Sequence, residues 1–108
     1  MNIDFQIDGT TITGIFSGEL DHHFADEIRI RIDVELMKPP IRDILFDFDG
    51  LSFMDSSGIG MIMGRYKKVK ALGGKAWIIC NNPNATRILE MSGIFQFIER
   101  CGSIHDAV

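Results

Sequence analysis

The sequence predicts a single α/β domain: a mixed sheet of about five strands with helices packed on it. Three observations predict it. An alternating apolar run with a tight-turn signal opens the chain, a helical apolar stripe recurs after it, and short consecutive apolar runs separate the helical patterns. With 108 residues, the chain has room for one domain over 1–108 and for one core.

Taken in order, Ile3, Phe5 and Ile7 alternate with polar neighbours, as in a half-buried strand. Asp8-Gly9 is a turn signal and Thr10 to Phe16 a second strand, so the two form a hairpin. After Gly18-Glu19-Leu20, Asp21 can cap a helix whose Phe24, Ile28, Ile32 and Leu36 make one apolar stripe. Pro39-Pro40 forbids its continuation. Ile41 to Phe48 is a strand, and its consecutive Ile44-Leu45-Phe46 implies helices over both sheet faces. A second helix runs from Ser56 to Leu72, burying Ile59, Ile62, Met63, Tyr66 and Val69, and Gly73-Gly74 ends it. Ala76 to Cys80 is a buried strand. Asn82-Pro83 opens a third helix that stops before Gly93. Ile94 to Ile98 reads as a last short strand, and Gly102 to Val108 can add at most about two helical turns.

Composition excludes several function classes. A hydrophobic share of 45% and a charged share of 24% are globular values, which argues against disorder. The net charge of −4 offers nucleic acid no overall attraction. Arg65, Lys67, Lys68 and Lys70 read as the solvated face of the second helix. No apolar run approaches the roughly 18–20 residues that span a membrane. Met1-Asn2-Ile3-Asp4 lacks the basic start of a secretory signal, so a cytoplasmic location is expected. Cys80 and Cys101 are too few and too far apart for a zinc cage or a CxxC site, and Cys80 reads as a small buried hydrophobe.

The stretch that carries chemical information is Leu51-Ser52-Phe53-Met54-Asp55-Ser56-Ser57-Gly58-Ile59-Gly60. It joins the buried strand to the second helix, at the sheet end where α/β folds bind ligands. Free amides and the helix dipole there stabilise negative charge, phosphate included. Local chemistry also allows a plain reading, in which Asp55 or Ser56 only caps the helix and the glycines only allow close packing. A nucleophile elbow fails, because the positions two before the serines hold Met54 and Asp55 rather than glycine. A dinucleotide fingerprint fails too: Gly58 and Gly60 supply its first part, but Gly64 stands one residue late. A receiver-type aspartate at Asp47, Asp49 or Asp55 lacks the acidic pair at the end of the first strand that would hold magnesium.

Met54-Asp55-Ser56-Ser57-Gly58-Ile59-Gly60 resembles the D-S-[ST]-G-[hydrophobic]-G signature of STAS-domain anti-sigma factor antagonists. Gly18-Glu19-Leu20-Asp21-His22-His23 and Gly64-Arg65-Tyr66-Lys67 resemble segments of the family's sporulation branch, and Met91-Ser92-Gly93 resembles the family's end of the third helix, in order and at compatible spacing. The likeness departs at Gly102 to Val108, where such proteins carry a longer final helix.

The resemblance implies a binding module and not an enzyme. The unphosphorylated form would bind an anti-sigma factor that is also a serine kinase, and so release the sigma factor. That kinase would phosphorylate the serine after the aspartate, here Ser56, and end the complex. A serine phosphatase would restore it. Asp55, Ser57, Gly58 and Gly60 complete the phosphorylation loop by the same analogy, and ATP and magnesium belong to the kinase, leaving this chain with no cofactor and no metal. Asp21, His22, Met54, Ile59, Met61, Ser92 and Gly93 are the expected partner interface. Met61 stands about 200° around the helix from Ile59, outside the apolar stripe, which suits either an exposed adaptable contact or packing under a neighbouring loop. Adjacent His22 and His23 make a poor metal site, since neighbouring helical residues do not converge, and His105 carries no signal. The free chain is expected to be a monomer that binds neither nucleic acid nor membrane. Two rivals remain at this point, a nucleotide-binding STAS module and a subunit of a stress-sensing assembly.

Overall fold

The computed structural model describes residues 1–102. Strands β1 (Asn2–Asp8) and β2 (Thr11–Leu20) form the expected antiparallel hairpin, with Asp8 opposite Thr11. Helix α1 (His22–Leu36) leads to β3 (Asp43–Met54), α2 (Ser56–Ala71) to β4 (Ala76–Ile79), and α3 (Pro83–Ser92) to β5 (Glu99–Cys101). The sheet order is β1-β2-β3-β4-β5, and every pair after the hairpin is parallel.

Strands added in one direction with one crossover hand put all three helices on one face. The main core agrees: Ile12, Phe16, Ile44, Phe46, Phe48 and Ile78 meet residues of α1, α2 and α3 in one cluster. Phe16 and Phe48 pack edge to face with ring centroids 4.8 Å apart. The expectation of helices on both faces is therefore corrected for the described residues. Leu45, on the other face, is buried in a small separate cluster with Trp77 and Ile79.

Three boundaries differ from the sequence reading. β2 and β3 run on to Leu20 and Met54 because, past one register shift, Leu51 pairs with Gly18 and, past a second, Phe53 and Met54 pair with Glu19 and Leu20. The expected loops before both helices are thus largely strand. Ile94 to Ile98 is not a strand. Gly93, at φ +76, turns the chain into a 3-10 turn (Ile94–Gln96) closed by bonds from Gln96 N and Phe97 N to the carbonyls of Gly93 and Ile94. Ile94 and Ile98 still reach the core from that turn, and β5 follows it. The expectation for the tail beyond Gly102, His105 included, lies outside the described residues.

The buried face of α2 is also rotated. Its buried residues are Gly58, Met61, Ile62, Arg65 and Val69, whereas Ile59, Met63 and Tyr66 are half-buried. The cause is the neighbour: α2 packs more extensively on α1 than on α3. Single-helix periodicity carries no information about which flank a second helix will cover.

Candidate functional site

The site begins with two parallel strands that end together. Leu20 and Met54 are paired in the sheet, and the next residue of each strand caps a helix. Asp21 Oδ1 accepts from His23 N at 2.9 Å, and Asp55 Oδ1 accepts from Ser57 N at 2.9 Å. A short carboxylate at this position satisfies an amide that has no partner within the helix. Asp55 does more. Its Oδ2 also accepts from His22 N at 3.2 Å and lies 3.9 Å from His22 Nδ1, so one carboxylate ties the two helix starts together.

Glycine is required at 58 by close approach. A Cβ there would stand 2.8 Å from Met54 Cγ and 3.2 Å from Leu20 Cδ2, both on buried side chains. The plain reading of this segment is therefore true as far as it goes: Asp55 caps, and Gly58 lets the first turn of α2 settle on the strand ends. What remains unabsorbed is hydroxyl chemistry. Ser56 is exposed, while Ser57 is half-buried and gives its amide to Asp55.

Between the first halves of α1 and α2 lies a cavity of about 400 Å³, with His22 and Arg29 on one wall and Ser57, Gly60, Met61 and Arg65 on the other. Gly60 is exposed, and nothing lies within 4 Å of the place its Cβ would take, so the helix backbone is bare there. Arg65 crosses to α1, its Nε 2.8 Å from Asp33 Oδ1, and Lys68 Nζ lies 3.3 Å from Asp33 Oδ2. Burial holds the Arg65 guanidinium below its usual pKa; Asp33 opposes that pull and the nearby Arg29 adds to it.

The expected site residues divide. Asp21, His22, Asp55, Ser56, Ser57, Gly58 and Gly60 come together at the two helix starts, with Ile59 half-buried behind them. Of the two alternatives for Met61 the packed one holds: it is only 4% exposed, against α1 rather than a loop, and Met54 is also 4% exposed, because it is held under Gly58. Neither side chain stands on a free surface. Ser92 and Gly93 sit instead at the end of α3, where Ser92 Oγ donates to Leu89 O at 2.7 Å and accepts from Ile94 N at 3.2 Å. Arg65 is a further correction. It was grouped with the solvated lysines of α2, yet its side chain is 6% exposed. Sequence reading missed Arg29 and Arg65 as a pair; its only signal was charge at a helical position flanked by apolar residues.

Among the described residues, no group of three His, Cys, Asp or Glu could hold a metal ion, and no helix is long and apolar enough to cross a membrane.

Comparison with known proteins bears on the family and the fold. Residues 2–107 match the STAS domain family. The anti-sigma F factor antagonist of Paenibacillus polymyxa is 42% identical over 76% of this chain and 70% of its own length. That of Lysinibacillus sphaericus is 34% identical over 79% and 72% respectively. The anti-sigma factor antagonist SpoIIAA in its unphosphorylated form superposes with a TM-score of 0.85 at 27% identity, covering 98% of this chain and 92% of that one. The Bacillus cell fate determinant SpoIIAA in its phosphorylated form gives 0.75 at 27% identity, covering 98% and 96%. With that match across nearly its whole length and those two curated relatives, the chain belongs to the STAS-domain family of anti-sigma factor antagonists.

Proposed function

We propose that this chain, as one STAS domain, binds an anti-sigma factor serine kinase and releases the sigma factor, and that phosphorylation of Ser56 ends the complex. One observation carries the residue assignment. Of the two serines at the start of α2, only Ser56 is exposed, directly after the Asp55 cap. A phosphoserine there brings about −1.5 to −2 charges at neutral pH. The fold tolerates that charge, because the amides and dipole of α2 point toward it. In a desolvated interface the same charge is costly unless the partner pairs it, and the adjacent Asp55 carboxylate adds repulsion. Phosphorylation thus acts as a local electrostatic block with little refolding. That one relative is known in both phosphorylated and unphosphorylated forms of this same fold supports the idea.

ATP and magnesium belong to the kinase, a serine phosphatase restores the binding form, and the cycle runs in the cytoplasm. The sporulation branch is the better fit, since relatives named for sigma F reach 42% and 34% identity against 26% for those named for sigma B. Incubation with the cognate kinase and ATP, followed by phosphosite mapping, tests the proposal. A single phosphoryl group on Ser56 is expected; phosphate on Ser57 moves the site by one residue, and none at all from an active kinase refutes the switch.

A further inference from the structure

The solvent face of α1 is apolar where a polar face is the norm. Ile30, Val34 and Met37 are 54%, 51% and 80% exposed. Their spacings of four and then three place them on one stripe, with the alternation of a seam between paired helices. Ile30 and Val34 stand about 200° around the helix from Ile28 and Ile32, which α1 buries in the core. At the C-terminal end of the stripe, Met37 also lines a groove of about 240 Å³ with Leu36, Ala71 and Leu72. Leu72 is itself half exposed. Single exposed apolar side chains are ordinary, but a stripe that runs on into a groove marks a contact surface.

The charges beside the stripe indicate what covers it. Glu27 and Lys38 are exposed and eleven residues apart, about three turns, so they share one flank of α1. The acid stands toward the N-terminal end and the cation toward the C-terminal end. A flank whose charge changes sign along its length is complementary to itself run antiparallel. With Ile30 set over Val34 of a second copy about a two-fold axis, each Glu27 meets the other copy's Lys38. Arg31, between them on that flank, is turned to β1, donating to Ile3 O at 3.1 Å and lying over the Phe5 ring. Lys38 Nζ is 3.1 Å from Glu35 Oε1, an exposed pair within one helix that leaves the ammonium able to take a second acceptor.

We propose that α1 is a self-association surface: two copies of this chain pair antiparallel through Ile30, Val34 and Met37, with Glu27 of each against Lys38 of the other. The stripe lies about 13–24 Å along α1 from its Asp21 cap, so a protein seated over Ser56 leaves it open. Antiparallel pairing carries the two Ser56 turns to opposite ends of the dimer, where both stay accessible. One helix face is smaller than the interface of a stable dimer, so the association is weak and concentration-dependent. It replaces the monomer expected from the sequence.

Sedimentation equilibrium of the full chain from about 10 µM to 1 mM, the range of a weak interface, tests this. The weight-average mass is expected to rise from one chain toward two. Val34→Lys, an exposed change to a better helix former, should weaken self-association tenfold or more. Lys67→Glu, off the stripe on α2, should leave it unchanged. Lys38→Glu should weaken it severalfold, and the double exchange Glu27→Lys with Lys38→Glu should restore it, since the flank is then again complementary to itself. A wild-type mass of one chain throughout overturns the proposal, as does a dimer that Val34→Lys leaves intact. A dimer sensitive to Val34→Lys but indifferent to Lys38→Glu overturns the antiparallel pairing. A chain that stays single while Val34→Lys lowers its affinity for the kinase gives the stripe to that partner and overturns self-association.

Discussion

The starts of α1 and α2 are near copies with different contents. Their caps adopt φ and ψ of −112 and −176 at Asp21 and −110 and −174 at Asp55. Each carboxylate accepts the amide two residues on at 2.9 Å. Beyond the caps the likeness ends. α1 continues with His22 and His23, whose rings lie 4.1 Å apart, and α2 with two serines and a glycine pressed onto Met54. Only Asp55 is seen to reach across to the other helix, through His22 N. An aspartate cap is thus the common solution to ending a parallel strand under a helix, and by itself identifies no site. The distinguishing features are a hydroxyl exposed beside the cap and a cavity next to it.

The largest expected effect separates the two starts outright. Ser56→Ala should abolish phosphoryl transfer from the kinase, while His22→Ala leaves it in place. Autoradiography or intact-mass measurement reads both. Transfer that survives Ser56→Ala, or fails in folded His22→Ala, would break the division of roles. Next in size is Gly58→Ala. Its Cβ must displace buried Met54, and overpacking of this kind costs about 1–3 kcal/mol of unfolding free energy. Urea unfolding with a midpoint equal to wild type would show that Met54 moves aside freely and that Gly58 serves something other than packing.

Much of this comparison was legible in the sequence. Asp21 and Asp55 were recognisable as caps because a short carboxylate before an apolar helical stripe has one main use. The element order followed from periodicity, and the family from residues 54–60. What stayed hidden depends on neighbours in space. The Ile94 to Ile98 run has the apolar content of a strand, but the preceding αL glycine converts it to a turn whose two isoleucines point inward. Arg65 looked solvent-facing and Met61 was undecided because the flank of α2 that α1 covers is set by packing and not by α2's own pattern. The cavity was illegible for the same reason: its walls come from two helices separated by a strand.

A smaller effect tests how far the two caps are equivalent. Asp21→Ala removes one side-chain bond to a first-turn amide and should cost about 1 kcal/mol. Asp55→Ala removes bonds to Ser57 N and His22 N, and should cost about 2 kcal/mol, at the upper end for a cap. Equal losses in chemical denaturation would mean that the cross-helix bond contributes nothing measurable, and that the two starts are independent.

The smallest effect has the opposite sign and is the sharpest on the cavity. Gly60 has a helical, exposed position with open space where its Cβ would be. Alanine there should raise stability by about 0.5–1 kcal/mol, since glycine costs a helix interior about that much. A protein selected for stability alone gains nothing by keeping glycine at such a site. If the bare backbone serves a partner group entering between α1 and α2, Gly60→Ala should stabilise the free chain and weaken kinase binding together. Gly64 is the internal control, being equally open on the same helix yet outside the cavity wall. Gly64→Ala should stabilise without loss of binding. If both substitutions stabilise and neither affects binding, the kinase does not use this wall, and α2 engages it through the Ser56 turn alone.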